Sequence, residues 1–251
     1  QRIAALTLLA AFVVIGVGQG WPLPAADDLM FTGASLSLAA GHGLQNPLLE
    51  NQFGPGPFLV YPPFHFYLQA GWLWVFGVSA EALTAFELVA YAVFGISTAV
   101  LLEQRGLLPK CHWPWPLLFA IGGLATLGTM GLRPEADGFA ALFAGLALRE
   151  RAQAPAKAIG WLLIGAAPGI APHTVTFAVA ALLGTLVFDP TERAKIWCEW
   201  PWVIGAAGAL VALLYGAVDG DVEALIAGIR HHAERTSLPV AAATSVVWTH
   251  V

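Results

Sequence analysis

Charged residues are scarce in this sequence. They make up 11% of its 251 residues, whereas 58% of the residues are hydrophobic and the mean hydropathy is +0.71. An ordinary soluble domain carries about 25% charged residues, so this composition argues against a soluble globular protein and indicates a membrane protein. No basic run of the kind that binds nucleic acid occurs, and we expect no nucleic-acid partner.

Basic residues are absent from a long N-terminal stretch, with none between Arg2 and Arg105. Cytoplasmic loops of membrane proteins carry an excess of Lys and Arg. Residues 19–80 are therefore predicted to form a long first extracytoplasmic loop. Later basic residues predict three cytoplasmic loops: Arg105 with Lys110, Arg149 with Arg151 and Lys157, and Arg193 with Lys195.

Long apolar runs are frequent. A helix that crosses a bilayer needs about 20 apolar residues. The run 158–188 is too long for one crossing and contains Pro168 and Pro172, which predicts two helices that meet near residues 171–174. The predicted fold is an all-α polytopic membrane protein with about seven crossings from a cytoplasmic N-terminus: 3–18, 82–102, 114–132, 136–148, the two halves of 158–188, and 200–218.

The predicted organisation is one transmembrane module over residues 1–218 and the start of a later extracytoplasmic loop over 219–251. Residues 219–250 are typical of an amphipathic surface helix. The chain begins without Met and ends in mid-segment, so we expect a fragment of a longer protein. Cysteine is nearly absent: Cys111 and Cys198 lie in or beside predicted cytoplasmic loops, where thiols stay reduced, and no disulfide is expected.

The first loop is itself predicted to contain juxtamembrane helices. Asp27 or Asp28 can cap a helix that runs to about Ala40, where the glycines of GHG at 41–43 stop it. After a Pro- and Gly-rich connector, residues 64–77 (FHFYLQAGWLWVFG) predict an aromatic helix that is too short to span. Its composition suits a position at the level of the lipid headgroups.

Four polar features are predicted to face the extracytoplasmic side. They are Asp27 with Asp28, Tyr61 with His65, Arg133 with Glu135 and Asp137, and His173. A carboxylate within hydrogen-bond reach of a hydroxyl can act as its general base, and an arginine can bind a phosphate through its fork of donors. Together these features predict a site that binds a phosphate and activates a nucleophile.

Each feature also has a purely structural interpretation. The two aspartates can cap a helix, and Arg133 can extend to the headgroups. His65 can be a headgroup-level aromatic with a polar tip. Glu135 and Asp137 can favour the positive end of a helix that begins beside them, and His173 can bond a carbonyl freed where the helix breaks.

The order of these motifs resembles the GT-C glycosyltransferases. The resemblance rests on the acidic pair, AAGHGL, YPPFHFYLQAGWLWVFG and GLRPEADGFAALFAGLAL, and covers essentially the whole chain. The most similar branch is that of the protein O-mannosyltransferases and aminoarabinose transferases, glycosyltransferase family 39. It implies an integral membrane enzyme that moves a sugar from a polyprenyl-phosphate donor to a glycan, lipid or protein acceptor on the extracytoplasmic face of the cell membrane.

The resemblance also implies roles for single residues. Asp27 matches the catalytic base and Asp28 a supporting acid, while Tyr61 and His65 belong to the donor-binding segment. Arg133 and Glu135 match the outer arginine–acid pair that contacts the donor phosphate, and no lysine near Tyr61 shares this task.

Metal use is left open by the sequence. No ligand spacing predicts a metal site. A divalent cation, Mg²⁺ or Mn²⁺, stays compatible with the sequence only if Asp28, Glu135 and Asp137 meet in space.

Two other classes of function stay open. A transporter or channel-like subunit is favoured by Glu87, because an acid within a predicted span is costly. Against it, Glu87 lies near the outer end of that span, and no other acid or base is expected to align with it at mid-membrane depth. A non-catalytic assembly subunit is the third interpretation.

Overall fold

A computed structural model of the chain describes residues 11, 14–19, 28–50, 56–107, 132–188 and 190–236. Within these ranges the regular structure is helical and contains no strand. The helices are α1 (Asp28–Ala39), α2 (Phe64–Phe76), α3 (Ala80–Gln104), α4 (Pro134–Arg149), α5 (Ala154–Ile170), α6 (Thr174–Phe188), α7 (Pro190–Cys198), α8 (Trp200–Ala217) and α9 (Val222–Thr236), with a 3-10 helix at Pro47–Leu49. The all-α prediction is confirmed for this part of the chain.

Seven membrane crossings are not supported. Among the described residues, two helices are long and apolar enough to span a bilayer, namely α3 and α8. The predicted crossing 136–148 lies in α4, which has 16 residues, and the run 158–188 forms α5 and α6, with 17 and 15 residues. Such helices are about 22–26 Å long, less than the ~30 Å of a hydrocarbon core. Residues 114–131 and most of 3–18 lie outside the described residues.

Several helix boundaries agree with the sequence-based predictions. The first-loop helix α1 ends at Ala39, and Gly41 and Gly43 follow it with φ values of +80° and +81°. These left-handed conformations suit glycine because it has no β-carbon. The break between α5 and α6 falls at residues 171–173, where Pro172 was expected to end a helix. Helix α9 accounts for the described part of the predicted amphipathic segment.

Helix α4 lies at the centre of the fold and packs against α3 on one side and α5 on the other. Its contact with α5 is close because glycines face each other. A β-carbon added at Gly160 would lie 2.7 Å from the backbone nitrogen of Arg149 and 2.7 Å from the carbonyl oxygen of Gly145. Leu142, Ala167 and Ile170 fill the same interface.

Predicted cytoplasmic residues meet at one end of the helices. Arg105, which follows α3, forms a 2.6 Å ion pair with Glu150, which follows α4. Lys195 lies 4.0 Å from the same carboxylate. Lys195 is on helix α7, so the loop predicted around Arg193 is in fact helical. Cys198 is a free, exposed thiol, and Cys111 lies outside the described residues.

Candidate active site

The Tyr61 cluster comprises Tyr61, Arg133, Glu135 and His173, brought together from three separate segments. Tyr61 precedes α2, and His173 lies in the turn between α5 and α6. Pro134 opens α4, and the residue before a proline is disfavoured in the helical region, so Arg133 is extended with φ −122° and ψ 150°. Glu135 follows in the first helical turn.

Hydrogen bonding and charge link the members of this cluster. The hydroxyl of Tyr61 lies 3.2 Å from Nε2 of His173, across 112 residues of sequence. The same nitrogen is 3.8 Å from Oε1 of Glu135. The side chain of His173 is 63% exposed, whereas Tyr61 is 8% exposed. The cluster therefore has an exposed histidine at its edge and a buried phenol beneath it.

Burial raises the pKa of Tyr61 to about 12, and the negative charge of Glu135 adds to this effect while the positive charge of Arg133 opposes it. The phenol is thus protonated at neutral pH and available as a hydrogen-bond donor. Both charged groups lie close enough to Tyr61 to affect its titration. An anion at this position would meet a guanidinium and a phenol, with one carboxylate nearby.

The first-loop helix is held against this cluster by aromatic packing. The ring of Phe31, in α1, meets the ring of Tyr61 edge-on at 5.1 Å and that of His65 at 6.1 Å. Asp28 begins α1, about one helical turn before Phe31. Asp27 lies outside the described residues, and Asp28 is described by its backbone alone.

His65 has a different position from the one expected at headgroup level. It is fully buried, and its Nδ1 lies 2.7 Å from Oδ2 of Asp137. Glu87 is fully buried too. One ligand atom from each of these three residues, which we call the buried triad, lies within 4.8 Å of the other two. His65 therefore belongs to the triad rather than to the exposed donor-binding surface.

The triad joins residues that the sequence analysis treated separately. Asp137 lies in the first turn of α4, as its structural interpretation expects, and it also pairs with His65. No acid or base was expected to align with Glu87 at mid-membrane depth, whereas His65 and Asp137 lie beside it. The sequence did contain one signal for buried polar groups in α2. His65 and Gln69 are four residues apart, which places them on one face of a mostly apolar helix. Both side chains are fully buried.

His173 also differs from its structural interpretation. The carbonyl oxygen of Ala171, at the helix break, accepts a 2.7 Å hydrogen bond from the hydroxyl of Thr174. The backbone nitrogen of Thr174 lies 3.0 Å from the same oxygen. The imidazole of His173 is thus directed to Tyr61 while Thr174 bonds that carbonyl.

A second polar cluster lies at the opposite end of α4. Nε of Arg149 is 2.7 Å from Oε2 of Glu199, and Nζ of Lys157 is 3.1 Å from Oε1. Trp161 donates a 3.2 Å hydrogen bond to the same carboxylate, and Arg149 stacks on its ring. Burial acts to raise the pKa of Glu199, but the hydrogen bonds and positive charges of Arg149 and Lys157 outweigh it and lower the pKa. The sequence analysis used Arg149 and Lys157 as topology signals and missed their shared partner.

Comparison with protein-family models, with curated proteins and with solved structures gives no match to this chain.

Proposed function

We propose that this chain is part of an integral membrane glycosyltransferase that uses a polyprenyl-phosphate-linked sugar. The observation that carries the proposal is the Tyr61 cluster, in which Arg133, Glu135 and His173 surround a phenol beside the first-loop helix. The YPP and LRPE motifs are distant in sequence, and a site formed by both is what the GT-C resemblance implies. The arrangement supplies two groups suited to a phosphate, a guanidinium and a protonated hydroxyl.

Exposed apolar surface supports the membrane setting. Helix α8 has a mean hydropathy of 1.5 and buries only Ala206 among its residues. Its large apolar side chains stand outward, as do those of α6: Trp200, Trp202, Ile204, Val211, Leu213 and Tyr215 on α8, and Val175, Phe177, Val179, Leu182, Leu183 and Val187 on α6. Soluble monomers rarely expose contiguous apolar patches of this extent, whereas lipid covers them at no cost.

The positions of the charged residues indicate which end of the fold faces the cytoplasm. Arg149, Arg151, Lys157 and Lys195 line one pocket at the end of the fold away from Tyr61, and Arg105 pairs with Glu150 there. We call this the basic end. The positive-inside rule assigns it to the cytoplasm and the Tyr61 cluster to the extracytoplasmic face. A total of seven crossings is part of this proposal, and α3 and α8 are the two of them that are long and apolar enough among the described residues.

The proposed reaction is an inverting sugar transfer. Asp27, supported by Asp28, takes the proton from the acceptor hydroxyl, whose oxygen attacks the anomeric carbon of the sugar. The bond from that carbon to the phosphate oxygen breaks, and the polyprenyl phosphate leaves with the electron pair. Arg133 stabilises the charge on the leaving phosphate, and Tyr61 donates a hydrogen bond to it. The carboxylate of Glu135 repels anions, so an anion binds at this site only where it also contacts Arg133.

The experiment uses the full-length protein in nanodiscs with a panel of labelled polyprenyl-phosphate sugars. Asp27→Asn is expected to abolish transfer and keep donor binding. Arg133→Gln is expected to weaken donor binding by about 10- to 100-fold, because a hydrogen bond to a charged group contributes about 1.5–3 kcal/mol. Arg151→Gln, an exposed arginine at the basic end, is the matched control. Wild-type transfer by Asp27→Asn contradicts the proposed base.

A transporter is the second candidate, and the buried triad is the observation that favours it. Three ionisable groups at one depth form the kind of chain through which protons move. If the protein is a transporter, the wild type should move protons or ions across the membrane of proteoliposomes. The Glu87→Gln variant should abolish this flux while it stays folded. Absence of sugar transfer and donor binding across the panel, together with such flux, would replace the transferase. Absence of both activities leaves the assembly subunit.

A further inference from the structure

The basic end contains a cavity of about 150 Å³, formed by the end of α4, the start of α5 and the helix α7. Four cationic side chains and two carboxylates line this cavity, so its lining carries a net positive charge. The proposed sugar transfer uses none of these groups, because they lie away from the Tyr61 cluster. The charged lining residues are Arg149, Arg151, Lys157, Lys195, Glu150 and Glu199.

Both carboxylates of the cavity are already paired with cations of the protein. Oε2 of Glu199 accepts a 2.7 Å hydrogen bond from Arg149, and its Oε1 lies 3.1 Å from Nζ of Lys157. Oε1 of Glu150 lies 2.6 Å from Arg105, which is not part of the cavity lining. The two acids are therefore neutralised before the other cations of the lining are counted.

Two further cations reach the cavity from its exposed side. The side chain of Lys195 is 50% exposed, and its Nζ lies 4.0 Å from Oε2 of Glu150, which is longer than a hydrogen bond. Arg151 is exposed and forms no ion pair with another side chain in the part of the chain that the structure describes. An anion in the cavity would meet this excess of positive charge.

The guanidinium of Arg149 is fixed in place at the base of the cavity. Arg149 is 6% exposed, and its guanidinium lies 5.1 Å from the centre of the Trp161 ring. Its hydrogen bond to Glu199 sets the orientation of the guanidinium plane. A planar guanidinium matches the geometry of phosphate, and a group that is already ordered costs little to bind.

A larger groove of about 550 Å³ continues from the cavity to Trp202, near the start of α8. The exposed indoles of Trp197 and Trp200 lie close by, with their ring centres 6.0 Å apart. Tryptophan is enriched at the level of the lipid headgroups. The groove thus leads from a cationic cavity to the outward apolar surface of α8. The residues that line both spaces are Ala152, Lys157, Lys195 and Glu199.

We propose that the basic end binds the phosphate of an anionic phospholipid. Pockets for drug-sized ligands measure about 300–1,000 Å³, so the smaller cavity suits a single phosphate group. The groove accommodates the glycerol and the first part of an acyl chain. Basic pockets between membrane helices on the cytoplasmic side bind anionic headgroups in this way. A soluble phosphate would fill the cavity alone. The inference rests on the membrane setting of the proposed function but not on sugar transfer.

The test counts the phospholipids that stay bound to the purified full chain. The protein in detergent is titrated with phosphatidylglycerol or phosphatidylcholine of the same acyl chains and analysed by native mass spectrometry. The wild type is expected to bind phosphatidylglycerol at least fivefold more tightly than phosphatidylcholine. Lys195→Gln should lose about fivefold in affinity for phosphatidylglycerol. Arg193→Gln removes a charge from the same helix outside the cavity and should bind as the wild type does.

Glycerol 3-phosphate distinguishes a lipid from a soluble phosphate. A large molar excess should leave phosphatidylglycerol bound, and displacement of the lipid would overturn the inference. Equal affinities of the wild type for the two lipids, or equal losses in Arg193→Gln and Lys195→Gln, would overturn it too.

Binding of the sugar donor is measured on the same samples, and Lys195→Gln should keep it. A wild type that selects phosphatidylglycerol without binding the donor contradicts the proposed function alone. One that binds the donor without selecting phosphatidylglycerol contradicts the lipid site alone.

Discussion

At the scale of the residue, Tyr61 is the point where the first loop, α4 and the α5–α6 turn meet. Its ring packs on Phe31, and its hydroxyl bonds His173. Because its pKa is raised to about 12, the hydroxyl stays a donor over the whole physiological pH range. A phosphate that approaches Arg133 from the exposed side of His173 would compete for this donor.

Tyr61→Phe is predicted to weaken donor binding by about 10- to 100-fold, because a hydrogen bond to a charged phosphate contributes about 1.5–3 kcal/mol. The ring and its packing on Phe31 are kept. Tyr67→Phe is the control, since its hydroxyl donates to the carbonyl oxygen of Ala217, away from the cluster. Equilibrium binding of a labelled polyprenyl-phosphate sugar gives the measurement, and equal affinities for the two variants would remove Tyr61 from the phosphate site.

Glu199 provides a second prediction at this scale. Its pKa is lowered in the folded chain, so its ion pairs stabilise the fold above the ordinary glutamate pKa of about 4.5 and are lost as the pH falls below it. The free energy of unfolding is expected to decrease more steeply between pH 6 and pH 3 in the wild type than in Glu199→Gln. Glu223→Gln, exposed on α9, should keep the wild-type slope.

Parallel slopes for the wild type and Glu199→Gln would mean that the pairs with Arg149 and Lys157 contribute nothing to stability in solution. At neutral pH, Glu199→Gln is expected to be destabilised by about 1–3 kcal/mol, since Arg149 loses its 2.7 Å ion pair with Glu199 while Glu150 stays 4.0 Å away. Both quantities come from the same denaturant titrations, monitored by circular dichroism across the pH series.

At the scale of the element, the α4–α5 contact depends on small residues. Gly160→Ala is predicted to destabilise the fold by about 1–3 kcal/mol, because its β-carbon would meet backbone atoms that cannot move independently. Gly205→Ala on α8 is the control, since nothing lies within 4 Å of its added β-carbon. Thermal unfolding of both variants gives the comparison, and a control that is as unstable as Gly160→Ala would indicate a helix-wide effect rather than packing.

Helix ends were predictable from the sequence where one residue type fixes the backbone. Gly41 indicated the end of α1, Pro134 the start of α4, and Pro172 the break after α5. Each of these residues restricts or permits particular backbone angles. Long-range pairing was not predictable in this way. The partners of His65 and Arg149 lie 72 and 50 residues away, and one sequence contains no signal for which polar groups meet.

The candidate site was predictable only in part, for the same reason. Tyr61, Arg133 and Glu135 were chosen by motif, and the structure brings them together around His173. His65 was assigned to the same surface because it is only four residues from Tyr61. His65 instead lies in the first turn of α2, which begins after Tyr61, and it is buried beside Glu87 and Asp137. Neighbours in sequence thus serve different clusters.

At the scale of the whole molecule, the chain has two chemically different ends. Cations from α3, α4, α5 and α7 gather at the basic end, while the Tyr61 cluster lies at the other. If a bilayer surrounds the helices between them, these ends face different compartments. Cys198 and His173 are exposed positions near the two ends, which makes the sidedness testable with a thiol reagent that does not cross membranes.

The prediction is that intact cells label His173→Cys but leave Cys198 unlabelled. Each thiol is tested alone, the first in a Cys111→Ser, Cys198→Ser background and the second with Cys111→Ser. Cys198 should react once detergent opens the membrane, which shows that its protection comes from the bilayer rather than from packing, since it is exposed in the fold. Labelling of both positions in intact cells would contradict the prediction, because it would place both ends outside. The positive-inside assignment of the basic end would then be wrong, and so would the extracytoplasmic position of the phosphate site.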